Sequence, residues 1–271
     1  MNQGIAPWLQ YPKLSLSDNY YQNESLAADI IVVGAGIAGA SAAFEMAEAG
    51  FKVLVLEREE GPATAGSGNV QGMLYLKLSP HLTYQNDLII QGFEKTRSLL
   101  QLLTARGLLQ KGLDWDDPGL LQLAYTQKQA ENQKKLAEIY PKTLLYSVDQ
   151  ESASTLAGIN LTAGGLFYPQ SGWLSPVALV NALLDHPNIT LQTQSKVLAL
   201  REVKRDEMRS VAPLWAVDIV GANMGANIGA DVNPDVYTAG ITGRSTIKGK
   251  VIVLAMACLL YTSDAADDGE S

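Results

Sequence analysis

The chain has 271 residues, 47% of them hydrophobic and 18% charged, enough to bury one large core or two smaller ones. A net charge of −8 excludes a broadly basic nucleic-acid surface, so any RNA contact must be local. A lone cysteine, Cys258, excludes an internal disulfide. The separated His81 and His186 exclude a typical zinc site, and the longest apolar runs fall far short of the roughly 20 residues a membrane helix needs.

Residues 1–26 carry Pro7, Trp8 and Pro12 and no basic stretch ahead of an apolar core. They read as an extended linker rather than a secretion signal, and a reducing cytoplasm is the expected compartment. Residues 29–58 then run from a β-branched strand into Gly34-Ala-Gly-Ile-Ala-Gly39, an alanine-rich helix over 37–49, and a second apolar strand ending at Glu57. The spacing is that of a dinucleotide-binding βαβ unit. Gly34 permits the strand-to-helix turn, Gly36 lets backbone approach a pyrophosphate, and Gly39 allows close helix-to-strand packing. The helix directs unpaired N–H groups and its positive dipole end at the phosphates, so no cationic side chain is required. Glu57, eighteen residues after Gly39, suits an adenosine ribose and repels a 2′-phosphate, which favours FAD or NAD over NADP.

Further along, 67–75 packs two glycines and three hydrogen-bonding side chains into a loop whose amides suit phosphate or flavin oxygens, although such a run is also an ordinary surface turn. The apolar residues of 86–106 recur at spacings of three and four, predicting a long amphipathic helix. A short apolar stretch at 119–124 and a polar helix over 127–139, with Lys128, Lys134 and Lys135 on a solvated face, belong to a second lobe. The cluster 168–174 sets aromatics beside a Pro/Gly turn and suits the lining of a pocket, with plain core as the commoner reading. Ser175 and Pro176 mark the start of a helix through 185, and His186 ends it. Strands are predicted over 189–193, 196–203, 215–220 and 251–255, while 221–246 has no sustained period. Nothing resembles a Ser-His-Asp set, a metal-ligand spacing or paired carboxylates, and no catalytic residue is assigned; His81 reads as a turn residue.

Together, Gly34-Ala-Gly-Ile-Ala-Gly39, Ser67-Gly-Asn-Val-Gln-Gly72-Met-Leu-Tyr75 and Tyr168-Pro-Gln-Ser-Gly-Trp173 make residues 7–257 resemble the FAD-dependent half of the MnmC family of bifunctional tRNA-modifying proteins. That family lies within the glycine- and D-amino-acid-oxidase-like flavoproteins. The resemblance implies an α/β chain in which a Rossmann-like FAD-binding lobe (27–110 and 176–257, the second part incomplete) interleaves with an α+β substrate lobe of the D-amino-acid oxidase type (111–175). Residues 1–26 would be a linker, looking like the join that follows a methyltransferase half, so a methyltransferase domain or protein is the implied partner. Residues 258–271 do not resemble the family, and the segments that complete the flavin site would lie beyond 257.

By the same resemblance, Gly34, Gly36, Ile37, Ala38, Gly39, Glu57 and Arg58 hold the ADP portion of FAD. Ser67, Gly68, Asn69, Gln71 and Gly72 pass near the flavin, Val197 lies beside the adenine, and Tyr168, Gln170 and Trp173 sit on the substrate side. The implied reaction is oxidative removal of the carboxymethyl group from 5-carboxymethylaminomethyl-(2-thio)uridine at the tRNA wobble position. The alternatives are an oxidase of free glycine, sarcosine or D-amino acids, and a noncatalytic nucleotide-binding fragment.

Overall fold

The computed structural model describes residues 26–203, 214–221 and 244–255. The chain forms two compact units, the second, Pro62–His186, inserted between the two halves of the first. In chain order, β1 (Ala28–Val33), α1 (Ile37–Glu48) and β2 (Val53–Leu56) open the first unit. The second holds β3 (Gly72–Leu74), α2 (Tyr84–Ala105), β4 (Trp115–Asp116), β5 (Leu120–Leu123), α3 (Gln127–Ile139), β6 (Tyr146–Val148), α4 (Gln150–Ala157), β7 (Gly165–Tyr168), β8 (Gly172–Leu174) and α5 (Pro176–Leu184). Finally β9 (Ile189–Gln192), β10 (Ser195–Glu202), β11 (Trp215–Gly221) and β12 (Arg244–Leu254) return to the first.

The first unit is a six-stranded sheet in the order β10-β11-β12-β1-β2-β9. β12, β1, β2 and β9 run parallel, while β11 pairs antiparallel with both β10 and β12. A parallel strand covered on both faces needs a continuous apolar run, and Ile30, Ile31 and Val32 of β1 are fully buried. Ile31, Leu54, Leu56, Val217, Ile219 and Ile247 make one core cluster. α1 lies along β1 and β2 and buries Gly39, Ala40, Ala43, Phe44 and Ala47, a helical stripe whose small residues let the helix sit close to the sheet.

The polar residue within β1, Asp29, binds the Lys250 ammonium of β12 at 2.8 Å and the Lys52 N–H ahead of β2 at 3.0 Å. One carboxylate thus ties three adjacent strands. Lys250 is 3% exposed, so this contact offsets the large cost of burying an ammonium and fixes the β1–β12 register.

In the second unit, β3-β8-β4 and β5-β7-β6 form two three-stranded antiparallel sheets. Leu74, Leu174 and Trp115 form the buried side of the first, and Met73, Trp173 and Asp116 align on the other side. All four helices start with a side-chain cap, from Thr83, Thr126, Asp149 and Ser175; Thr126 completes a capping box with Gln129, and Pro176 follows the Ser175 cap. Asn86 is buried and donates to the Ser79 and His81 carbonyls and the Tyr140 hydroxyl, which anchors the 79–83 loop to α2.

Several expectations shift. The long helix begins at Tyr84 because Thr83, not a later residue, caps it. The strand expected over 251–255 begins instead at Arg244, because Lys248 and Lys250 interrupt the apolar pattern that marked it. β3, β4, β6, β7, β8 and α4 had no period long enough to be read. The two units meet in the chain at 61/62 and 186/187, whereas the expected lobes divide at 110/111 and 175/176. The linker at 1–25, most of 221–246, and the 258–271 tail with Cys258 lie outside the described residues.

Candidate functional site

In the first unit the glycine motif occupies the turn between β1 and α1. Gly34 has φ of 101°, a left-handed conformation that strains any other residue, and its N–H donates to the Leu56 carbonyl of β2 at 2.8 Å. A Cβ on Gly39 would stand 1.9 Å from the Gly34 carbonyl oxygen and 3.2 Å from Cβ of Ala255. Glycine is therefore demanded by closeness at one position and by φ at the other.

The capping position of α1 is Gly36, which has no side chain to accept the first-turn N–H groups. Every helix of the second unit has such an acceptor. At α1 the N–H groups and the positive end of the dipole suit an anion instead. Ile37 and Ala38, the first two helical residues, are exposed.

Glu57 leaves the end of β2 and turns back to this loop. Its Oε2 accepts the Ala35 N–H at 2.8 Å, and its Oε1 accepts the Glu59 N–H at 3.0 Å. Ala35 is fully buried, so the carboxylate supplies the partner that its N–H needs while helping to hold the turn. The acid is half-buried and retains acceptor capacity for further donors, since two oxygens offer about four lone-pair sites. Arg58 instead pairs with Glu59 at 2.8 Å, both partly exposed.

The β9–β10 corner wraps the same strand end, with Gln192 accepting from the Glu57 N–H and the Ser195 and Gln194 N–H groups donating to the Glu57 and Glu59 carbonyls. Val197 lies two residues on, beside a slip in the β10–β11 ladder between Val197 and Ala199. Glycine turn, helix start, the Glu57 carboxylate and Val197 thus belong to one unit.

The other expected residues belong to the second unit. In the 67–72 loop, a Cβ on Gly68 would stand 2.7 Å from the Ala63 carbonyl oxygen. Asn69 and Gln71 are exposed, Ser67 is half-buried, and Gly72 enters β3 opposite Leu174. Tyr168 is 2% exposed, and its hydroxyl donates to Gln122 Oε1 at 3.3 Å. Burial, with Tyr75 nearby, pushes its hydroxyl up to about 12, so it remains a neutral donor rather than a base. Trp173 is half-buried between Met73 and Asp116 on neighbouring strands.

Gln170 accepts at Oε1 from Arg97 Nη1 at 2.8 Å, and Arg97 Nη2 also donates to Asp117 Oδ2 at 2.8 Å. Lys111 Nζ binds the other Asp117 oxygen. Burial pulls the Asp117 carboxyl upward, but Lys111 and Arg97 outweigh it and hold the group below the usual carboxylate range. Sequence reasoning missed Arg97, although it stands four residues after Phe93 and three before Leu100. A cation on that buried stripe was the available signal. His81 is exposed, and among the described residues no group of three or more His, Cys, Asp or Glu side chains is arranged to hold a metal ion.

The model of the DAO family, described as FAD-dependent oxidoreductase, matches residues 29–260. The chain belongs to that family. The helix start without a side-chain cap, the Gly34–Gly39 contact and the Glu57 carboxylate have the chemistry that the ADP end of FAD calls for.

The chain is also similar to the bifunctional tRNA 5-methylaminomethyl-2-thiouridine biosynthesis protein MnmC. The Pseudomonas putida GB-1 protein is 43% identical over 198 residues, 73% of this chain and 28% of that one. The protein of Ectopseudomonas mendocina ymp is 45% identical over 195 residues, 72% of this chain and 27% of that one. This DAO-family chain therefore matches little more than a quarter of its relatives' length.

Glycine oxidase of Geobacillus kaustophilus superposes with a TM-score of 0.60 at 20% identity, over 84% of this chain and 55% of that one. L-Proline dehydrogenase of P. horikoshii does so with a TM-score of 0.57 at 16% identity, over 90% of this chain and 57% of that one. These likenesses show the fold: a Rossmann-like unit interleaved along the chain with an α+β unit of the amino-acid-oxidase type.

Proposed function

We propose that this DAO-family chain oxidises the carboxymethylaminomethyl group of 5-carboxymethylaminomethyl-(2-thio)uridine at the tRNA wobble position, releasing glyoxylate and leaving the aminomethyl base. The observation that carries this reading is the 43% identity to the MnmC protein across 73% of the chain, spanning both units. Two electrons and two hydrogens leave the N–CH2 unit of the substrate, and water cleaves the resulting imine. Bound FAD supplies the two-electron acceptor for this oxidation.

The first unit's task is cofactor binding. Gly34, Gly36, Ile37, Ala38 and Gly39 present backbone to the pyrophosphate, Glu57 accepts ribose hydroxyls, and Arg58 and Val197 flank the adenosine. Ser67, Gly68, Asn69, Gln71 and Gly72 serve the flavin end, while Gln170 and Trp173 face substrate and the buried Tyr168 belongs to the substrate side as support rather than contact. With Tyr168 held neutral, the second unit contributes alignment and donors rather than a tyrosinate base.

The local charge is compatible with an RNA substrate. The second unit has nine Lys and Arg residues against ten Asp and Glu, so most of the chain's −8 excess lies elsewhere. Lys77, Lys128, Lys134, Lys135 and Lys142 are exposed there and are the proposed phosphate contacts. Among the described residues no helix is long and apolar enough to cross a membrane, and the proposed compartment is the cytoplasm, with a methyltransferase domain or protein as partner.

The test is incubation of FAD-loaded protein with tRNA bearing the carboxymethylaminomethyl base, followed by nucleoside mass analysis. The aminomethyl nucleoside with equimolar glyoxylate supports the reading. An unchanged nucleoside, with turnover of glycine or sarcosine, replaces it with a free amino-acid oxidase.

A further inference from the structure

The Arg97 cluster is built like a positioning device. The Arg97 side chain is 19% exposed, and its guanidinium reaches two connections at once: the β7–β8 turn through Gln170 and the segment after β4 through Asp117. Lys111 binds Asp117 and lies 3.7 Å from Asp116, so two cations meet two carboxylates. With its charges balanced, the cluster's effect is geometric rather than attractive.

The geometry it imposes on Gln170 is specific. A glutamine amide has an accepting end and a donating end, and rotation by half a turn exchanges them. Guanidinium has no acceptor, so Gln170 can meet Arg97 only through Oε1, and the opposite orientation would set donor against donor. The backbone is fixed as well. The Ser171 N–H donates to Tyr168 O at 3.2 Å and the Gly119 N–H to Ser171 O at 2.9 Å, closing the turn around Pro169 and Gln170. The remaining Gln170 group, Nε2, makes no hydrogen bond among the described residues and is not a buried atom lacking a partner. The residue thus offers a donor alone, held from behind.

We infer that Arg97 is a positioning residue that locks the Gln170 amide with its N–H groups outward, so that Gln170 recognises an oxygen of the substrate's carboxymethyl carboxylate. This inference rests on the substrate proposed above. A carboxylate accepts from such an amide, whereas the aminomethyl product has lost that group. The contact therefore favours substrate over product and contributes to binding more than to the rate of the bound complex.

Two variants separate this role from a structural one. Gln170→Glu keeps an oxygen for Arg97 but replaces the outward donor with an acceptor, so the fold is retained while substrate carboxylate is repelled. Arg97→Lys keeps a cation for Asp117 and gives up the planar fork. In FAD-loaded protein, Gln170→Glu should keep the wild-type melting temperature and flavin absorbance, raise KM for carboxymethylaminomethyl tRNA at least about 10-fold, and change kcat less than about 3-fold. Arg97→Lys should raise KM in the same direction, and adding Gln170→Met to it should have little further effect, because both act through one contact.

Binding gives a readout independent of turnover. By fluorescence anisotropy the wild type should prefer tRNA carrying the carboxymethylaminomethyl base over tRNA carrying the aminomethyl base, and Gln170→Glu should lose that preference. A Gln170→Glu protein with unchanged KM and unchanged preference overturns the inference while leaving the proposed reaction intact. A wild type that binds both tRNAs alike, yet oxidises glycine with the same KM in both proteins, overturns the inference together with the substrate on which it rests.

Discussion

Replacing Gly39 with alanine tests whether the helix start is built to the tolerance that cofactor binding needs. The new Cβ would lie 1.9 Å from the Gly34 carbonyl oxygen, where a relaxed separation is about 3.5 Å, so helix or turn must retreat by roughly 1.5 Å. Retreat is opposed on the other side by Ala255, whose Cβ would be 3.2 Å away. Overpacking of this kind costs about 1–3 kcal/mol or more, against a gain of about 1 kcal/mol from removing a helical glycine. The clash should win, giving a net loss of up to about 2 kcal/mol in the apoprotein. Because hydrogen bonds to charged groups contribute about 1.5–3 kcal/mol each, losing even one pyrophosphate contact weakens FAD at least about 10-fold.

Gly92→Ala makes the same chemical change inside α2, where nothing lies within 4 Å of the added carbon, and should instead stabilise by about 0.5–1 kcal/mol. Chemical denaturation of the apoproteins and FAD titration by flavin fluorescence read both effects. If Gly39→Ala is as stable as Gly92→Ala and binds FAD within about twofold of wild type, the close-contact argument is wrong.

Glu57→Gln should weaken FAD about 10-fold or more and also lower apoprotein stability, since the amide cannot accept from both the Ala35 and Glu59 N–H groups; isothermal titration and melting curves check the two losses separately. Asp29→Ala should destabilise by about 3–5 kcal/mol because it strands the buried Lys250 ammonium, whereas Lys250→Met should cost much less; urea denaturation gives the order. The Asp29 carboxyl, drawn up by burial but held below its usual range by Lys250 and the Lys52 N–H, favours the folded state above its unfolded pKa, so this contribution fades as pH falls through the lowered native value and Asp29→Asn should flatten that part of the acid curve. Tyr168, raised from 10 to about 12, binds its proton more tightly in the folded state, so its contribution is present below pH 10 and is lost as pH rises towards 12; Tyr168→Phe should remove that alkaline slope in pH-dependent melts.

The first unit was largely legible in the sequence because its signals are local. β1, the Gly34–Gly39 turn, α1 and Glu57 follow one another within a single βαβ unit, and the structure brings them to one strand end without help from distant chain. The helix over Gln127–Ile139 was equally plain from its polar run with Lys128, Lys134 and Lys135 on a solvated face, and the structure adds the Thr126–Gln129 capping box that starts it. The second unit resisted for a physical reason. β3, β4 and β8 are two or three residues long, too short to show alternation, and exist because partners far along the chain pair with them. Arg97, Lys111 and Asp117 escaped notice for the same cause: their meaning lies in contacts across 6 to 73 positions of sequence that no local period reports. The strand expected over 251–255 caught only the end of β12, whose start at 244–250 hid behind Lys248 and Lys250, because a buried, paired lysine such as Lys250 looks in sequence like one in water.

The central claim, an N-carboxymethyl base on tRNA oxidised at FAD, is tested most directly by anaerobic mixing of the flavin-loaded protein with one equivalent of substrate while the oxidised flavin band is followed. Bleaching by tRNA bearing 5-carboxymethylaminomethyluridine, with none from the aminomethyl form and only slow bleaching from glycine or sarcosine, is the predicted result. Rapid bleaching by the free amino acids with no response to the modified tRNA would contradict it.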